Sequence, residues 1–229
     1  MYSYGKTYLE HRENVELPIE DHYALKQYCD EIGIEYSTSV WDMTSAKEIV
    51  ELNPKLIKIP SACNQNLEMM TYLFNNYEGE IHISTGMLSR SEKEELFAFL
   101  MNEYIKNRKL DSNKLIIYHC TSGYPVPFDK LYIEEIRDIC DNWCFRTGFS
   151  NHGYGIAMEP VAYALGARYF ERHFIDDRMF PHTDASCSLE PQGLSKLVRD
   201  LKAVSEALRE KPEELDDIEM VQRLKLRPS

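Results

Sequence analysis

No stretch of this chain approaches the ~20 consecutive apolar residues that a membrane-crossing helix needs. The opening segment, "MYSYGKTYLEHREN", lacks the apolar core of a secretory leader. Low-complexity tracts are missing, and so is any excess of positive charge: 26 Lys and Arg stand against 38 Asp and Glu, a net charge of −12. That balance argues against a nucleic-acid backbone or an anionic membrane as the main partner, and leaves room for small anions in a local cationic pocket. Cysteines at zinc-knuckle spacing are absent too. The six cysteines are scattered, and the one close pair, Cys140 and Cys144, is spaced along a helix face. The expectation is a cytoplasmic protein with reduced thiols.

What is present is enough for one sizeable core: 229 residues, 43% hydrophobic and 28% charged. Six β-rich runs recur after residue 33: 34–39 "IEYSTS", 56–61 "LIKIPS", 81–86 "IHISTG", 114–120 "KLIIYHC", 145–150 "FRTGFS" and 168–174 "RYFERHF". Helical spacing separates them, as in residues 91–107 and 131–142; another helix over 19–33 stops at Gly33, and one follows the last strand. Strands and helices alternating every ~25–30 residues predict parallel strands under covering helices. A doubly wound open sheet gathers its ligand groups at one switch point. Here polar residues close almost every run, so the fold class expected is α/β, a (β/α)8 barrel with its site at the strand C-termini. Only six strands are legible where such a barrel has eight, and residues 1–20 are too polar and short to supply two more. The expected organisation is a partial barrel over 1–208 and a loose acidic tail or linker over 209–229.

Several residues carry chemistry. His152 or His173 alone reads as a packed core residue; together, on neighbouring strand tips, they read as a metal pair. Two imidazoles among carboxylates and hydroxyls suit Mn²⁺ or Mg²⁺ with open positions better than a closed zinc site. Gly153 and Gly155 are expected to let backbone crowd a ligand. Lys58, inside an apolar strand, either snorkels outward or is paired and functional. With Ser61, Ser84, Ser122 and Ser150 near the same rim it suits a phosphate or carboxylate. His119 and Cys120 are read as interior filling, Glu171 and Arg172 as bracing each other, and Asp184 as a loop carboxylate able to reach substrate hydroxyls.

Taken in order, "YGKTYLEHR", "GIEYSTS", "KIPSACN", "STGM", "HCTSGYPVP", "GFSNHGYGIA", "ALGARYFERHF" and "DASCSLEP" resemble the sialic acid synthases, and "YGKTYLEHR" looks most like the animal-type branch and its bacterial relatives. The resemblance implies condensation of phosphoenolpyruvate with N-acetylmannosamine, its 6-phosphate or a related aldose, on a barrel using Mn²⁺ or Mg²⁺. It implies His152 and His173 as metal ligands. Thr38, Lys58, Ser61, Ser84, Ser122, Tyr124 and Ser150 would surround phosphoenolpyruvate, and Asp184 the acceptor sugar, with Lys58, Tyr124 and Asp184 carrying catalysis. Where many members read Ser-Asp-His this chain has Ser150-Asn151-His152, removing a carboxylate expected near the metal. Ser122 replaces an asparagine. The family's first-strand glutamate, second-strand Lys-x-Gln and C-terminal antifreeze-like domain have no counterpart here, so the match reads as strands three to eight. A homodimer, or association with a missing N-terminal segment, is the expected way to cover the open edges. The alternatives are a truncated, inactive or binding-only relative, or another metal-dependent barrel enzyme: a ketoacid-phosphate synthase, an aldolase or an epimerase.

Overall fold

The computed structural model describes residues 4–106, 112–143, 145–180 and 183–227. Two helices come first. In α1 (Tyr8–Val15), Thr7 Oγ1 accepts the Glu10 N–H while the Glu10 carboxylate takes the N–H groups of Lys6 and Thr7, a complete capping box. In α2 (Ile19–Ile32), Gly33 ends the helix at φ +75°, as its position predicts. Residues 4–20 thus hold helix and connecting turns, with no strand among them.

Six strands follow: β1 (Ser37–Ser39), β2 (Leu56–Ile59), β3 (Glu80–Ser84), β4 (Leu115–Cys120), β5 (Arg146–Asn151) and β6 (Tyr169–Arg172). They form one parallel sheet in chain order, with β1 and β6 at its two edges. Each is close to its predicted run but most are shorter. β2 stops at Ile59 because Pro60 has no N–H to donate. After β6 the chain bends away, and Phe174 makes only an isolated bridge to Leu189.

Between strands run α3 (Met43–Leu52), α4 (Leu67–Asn76), α5 (Arg90–Lys106), α6 (Glu135–Asp138, continuing as a π turn over Ile139–Trp143) and α7 (Met158–Ala164). α8 (Pro191–Ala207) follows the sheet. The acidic tail is less loose than its composition suggests: α9 (Asp217–Leu226) occupies part of it, capped by Asp216 and burying no residue. Cys144 lies outside the described residues; Cys29, Cys63, Cys120, Cys140 and Cys187 are free thiols.

Alternation along the strands gives the sheet two unlike faces. Ile57, Ile59, Ile81, Ile83, Leu115 and Ile117 point toward the helices and join Ile49, Leu73, Phe97 and Leu100 in one core. Each such side chain contributes about 1.5–3 kcal/mol by leaving water. The opposite face carries Lys58, His82, Tyr118, Arg146, Tyr169 and Glu171, and it is concave. Lys58 on β2 reaches Glu171 on β6 at 2.5 Å, and the rings of His82 and Tyr169, on β3 and β6, lie 5.4 Å apart. Such contacts between strands far apart in the sheet require it to curl into an incomplete barrel wall.

Candidate functional site

The C-terminal ends of the strands, with α1 alongside, enclose a cavity of about 640 Å³. Of the residues singled out in the sequence, Lys58, Ser61, Ser84, Ser122, Tyr124, Ser150, His152, His173 and Asp184 all line it. Thr38 does not. It lines a separate hollow with Arg12, His22 and Asp42, and Ser39 takes its place at the mouth. The cause is strand parity: Ser39 is in register with Lys58, so Thr38 falls on the helix-facing side with Ile57.

Lys58 anchors the floor. Buried to 7% exposure, its ammonium pairs with Glu171 and lies 4.8 Å from the Tyr118 ring centroid. Burial pushes the Glu171 carboxyl up, but Lys58 outweighs this and holds it below the ordinary range, so the carboxylate stays ionised. Glu171 and Arg172 therefore do not brace each other; they sit on opposite faces. Arg172 bonds Glu159 at 3.1 Å and the carbonyls of Gly153 and Cys187. Below the floor, Glu80 accepts from His82 Nε2 at 3.2 Å while His82 Nδ1 accepts from the Tyr118 hydroxyl at 2.9 Å. Burial draws the His82 pKa down, which matches its role as a neutral relay between those partners.

Beside Lys58 lies a cradle of hydroxyls. Ser61 Oγ accepts the Gly86 N–H at 3.1 Å, and the Asn64 amide pins the turn by donating to the carbonyls of Ser84 and Gly86. A Cβ at Gly86 would stand 2.3 Å from Ser122 Oγ and 2.7 Å from Ser61 Oγ, so the approach exists only because residue 86 is glycine. Among the described residues, nothing hydrogen-bonds the buried hydroxyls of Ser84 and Ser122. Buried polar groups of this kind are uncommon, and these two lie where a polar guest could meet them.

Across the mouth, the His152 and His173 rings lie 5.1 Å apart, and the Tyr124 ring lies tilted 4.4 Å from the first and edge-on 5.6 Å from the second. His152 Nδ1 donates to the Thr121 carbonyl at 3.1 Å, which leaves Nε2 as a lone-pair donor. Burial, reinforced by His173, draws its pKa down and keeps the ring neutral. His173 Nδ1 is 3.6 Å from Asp184 Oδ2. Burial also pushes the Cys120 thiol up, so it stays protonated 3.8 Å from His152 and is a poor ligand. Among the described residues no set of three or more His, Cys, Asp or Glu converges on a point. His152 and His173 are the two residues that could hold a cation here. Tyr124 has its pKa pushed up to about 12 by burial and keeps its proton at neutral pH.

Two sequence expectations change here. Asn151 does not face the mouth: at 1% exposure it donates to Glu159 and accepts the Gly153 N–H, so the side chain at this position braces the loop below the histidines. Gly153 packs against that asparagine and Leu131, and Gly155 serves a left-handed turn at φ +69° with open space around it; neither lines the cavity. His119 fills the interior as expected: it stacks on Phe149, bonds the Leu131 carbonyl at 2.7 Å and lies outside the cavity. The sequence reading missed Ser39, Trp41, and Tyr8, His11 and Arg12 of α1, all of which line the wall. Parity with Lys58 is the signal that identifies Ser39; nothing local announces where α1 docks.

Residues 2–213 match the sequence profile of the NeuB family. The chain is similar to N-acetylneuraminate-9-phosphate synthase of Homo sapiens, 30% identical over 98% of this chain and 60% of that protein. It is also similar to N,N'-diacetyllegionaminic acid synthase of Legionella pneumophila, at 28% over 98% of this chain and 62% of that one. The chain thus spans about 60% of the length of these curated relatives. In fold it resembles the N-acetylneuraminic acid synthetase of Leptospira borgpetersenii, with a TM-score of 0.81 at 23% identity, over 99% of this chain and 78% of that one.

Proposed function

The chain belongs to the NeuB family, and on that footing we propose that it carries the catalytic barrel of a phosphoenolpyruvate-dependent sugar-acid synthase. In this reading β1–β6 are strands three to eight of the barrel. The reaction is condensation of phosphoenolpyruvate with N-acetylmannosamine, its 6-phosphate or a related aldose, giving a nine-carbon ketoacid and phosphate. The observation that supports it best is the meeting, in one cavity, of Lys58 with the unpartnered hydroxyls of Ser84 and Ser122, opposite two adjacent imidazoles.

Lys58 and the hydroxyls of Ser61, Ser84, Ser122 and Ser150 bind the phosphate and carboxylate and offset their charge throughout. Tyr124, protonated at neutral pH, donates to an oxygen of either substrate. Asp184 accepts from acceptor-sugar hydroxyls and orients the aldehyde toward the enol carbon. His152 and His173 would hold Mn²⁺ or Mg²⁺, whose Lewis acidity polarises the aldehyde oxygen. The new C–C bond forms between the enol carbon and the aldehyde carbon; water then adds at the carbon bearing the phosphate ester, and phosphate departs. The test is phosphate release that needs both phosphoenolpyruvate and an N-acylated mannose. Aldol cleavage of a ketoacid, with no release for any aldose, would replace this reading with that of another metal-dependent barrel enzyme.

A further inference from the structure

We infer that Arg12 forms a second anion subsite on the cavity wall, which takes a phosphate monoester carried by the acceptor sugar away from its aldehyde. This rests on the synthase reading above, and it answers what α1 is for. α1 buries no residue, so the core does not require it, yet it sets Tyr8, His11 and Arg12 into the lining of the cavity whose floor is Lys58. Its start is fixed by the Thr7–Glu10 capping box, which settles the face it presents.

The guanidinium of Arg12 lies over the Trp41 indole, 4.6 Å from the ring centroid. Stacking spends the faces of the guanidinium plane and keeps its in-plane N–H donors for a bidentate oxyanion. Lys58 serves the floor, and Arg172, on the other face of β6, is matched by Glu159. Among the described residues no carboxylate pairs with Arg12, in a chain whose net charge is −12. His11 lines the same wall, its Nδ1 accepting the Tyr4 N–H at 3.3 Å. At about 640 Å³ the cavity is in the range that holds small substrates, so an anion at the floor and another at the wall can belong to two molecules bound together.

The experiment is calorimetric titration of the full chain, with Mn²⁺ present, by phosphoenolpyruvate, N-acetylmannosamine and N-acetylmannosamine 6-phosphate. A bidentate charge-assisted contact predicts a preference for the phosphorylated sugar of about tenfold or more. Arg12→Gln should erase most of that ratio, Arg12→Lys should restore part of it, and Lys47→Gln, an exposed cation change away from the cavity, should leave it as it is. Equal affinity for the two sugars in the unaltered chain, or a ratio untouched by Arg12→Gln, overturns the subsite. If phosphoenolpyruvate fails to bind, the synthase reading falls instead. An Arg12-dependent preference for the phosphorylated sugar in that case would keep the subsite and assign it to other phosphosugar chemistry. Thermal melting of Arg12→Gln separates lost contact from lost fold.

Discussion

Ile57 and Lys58 are consecutive in β2, and the sheet sends them into opposite worlds. Ile57 faces the helices among isoleucines, leucines and phenylalanines, where every contact is dispersion and burial. Lys58 faces the concave side, where charges cross the barrel interior in pairs and buried hydroxyls remain unmatched. The outer face makes the chain fold. The inner face suits packing poorly where its polar groups are unmatched, because burying such groups costs stability.

That contrast is sharpest under paired substitutions. Lys58→Met should reduce phosphoenolpyruvate affinity about a hundredfold or more, by removing the cation from the anion floor, with a small change in urea midpoint. Ile57→Ala should do the opposite: a stability loss of about 2–5 kcal/mol in urea titration, with phosphoenolpyruvate affinity of the still-folded fraction retained. If both variants lose stability and binding together, the two faces are not separable as described. Gly86→Ala should have an intermediate effect, about tenfold on phosphoenolpyruvate affinity, because the new methyl enters the space between Ser61 and Ser122. Normal affinity in that variant would remove the serine cradle from the site.

The smallest effect is a pH dependence. Glu171 holds its proton more weakly in the folded chain than in the unfolded one, because of Lys58. Its contribution to stability is complete above its ordinary pKa of 4.5 and fades as pH falls toward the lower folded value. Melting temperatures of the unaltered chain and Lys58→Met should therefore differ in their slope across that acid window and run parallel above it. Parallel curves throughout would show that the pair is not coupled in solution.

Much of this was legible in the sequence, for reasons that can be named. The six strands announce themselves as apolar runs ending in polar tips, and Ile57-Lys58-Ile59 is self-phasing: two buried isoleucines force the lysine to the other face. In "IEYSTS" only three residues pair, all small and polar, so no apolar neighbour fixes the phase and Thr38 was chosen where Ser39 faces the mouth. Asn151 was misplaced for the related reason that adjacency to His152 in sequence means opposite faces in a strand. The Lys58–Glu171 pair joins residues 113 apart, and the docking of α1 on the cavity depends on tertiary contacts, so neither has a local sequence signal.

The central claim is that the concave mouth is one site for a metal ion and an anionic substrate. The most direct measurement is titration of Mn²⁺ and phosphoenolpyruvate into the full chain beside His173→Ala and Lys58→Met. The prediction is that His173→Ala abolishes Mn²⁺ binding, that Lys58→Met lowers phosphoenolpyruvate affinity about a hundredfold or more, and that neither change unfolds the chain. Mn²⁺ and phosphoenolpyruvate affinities unchanged in both variants would contradict it.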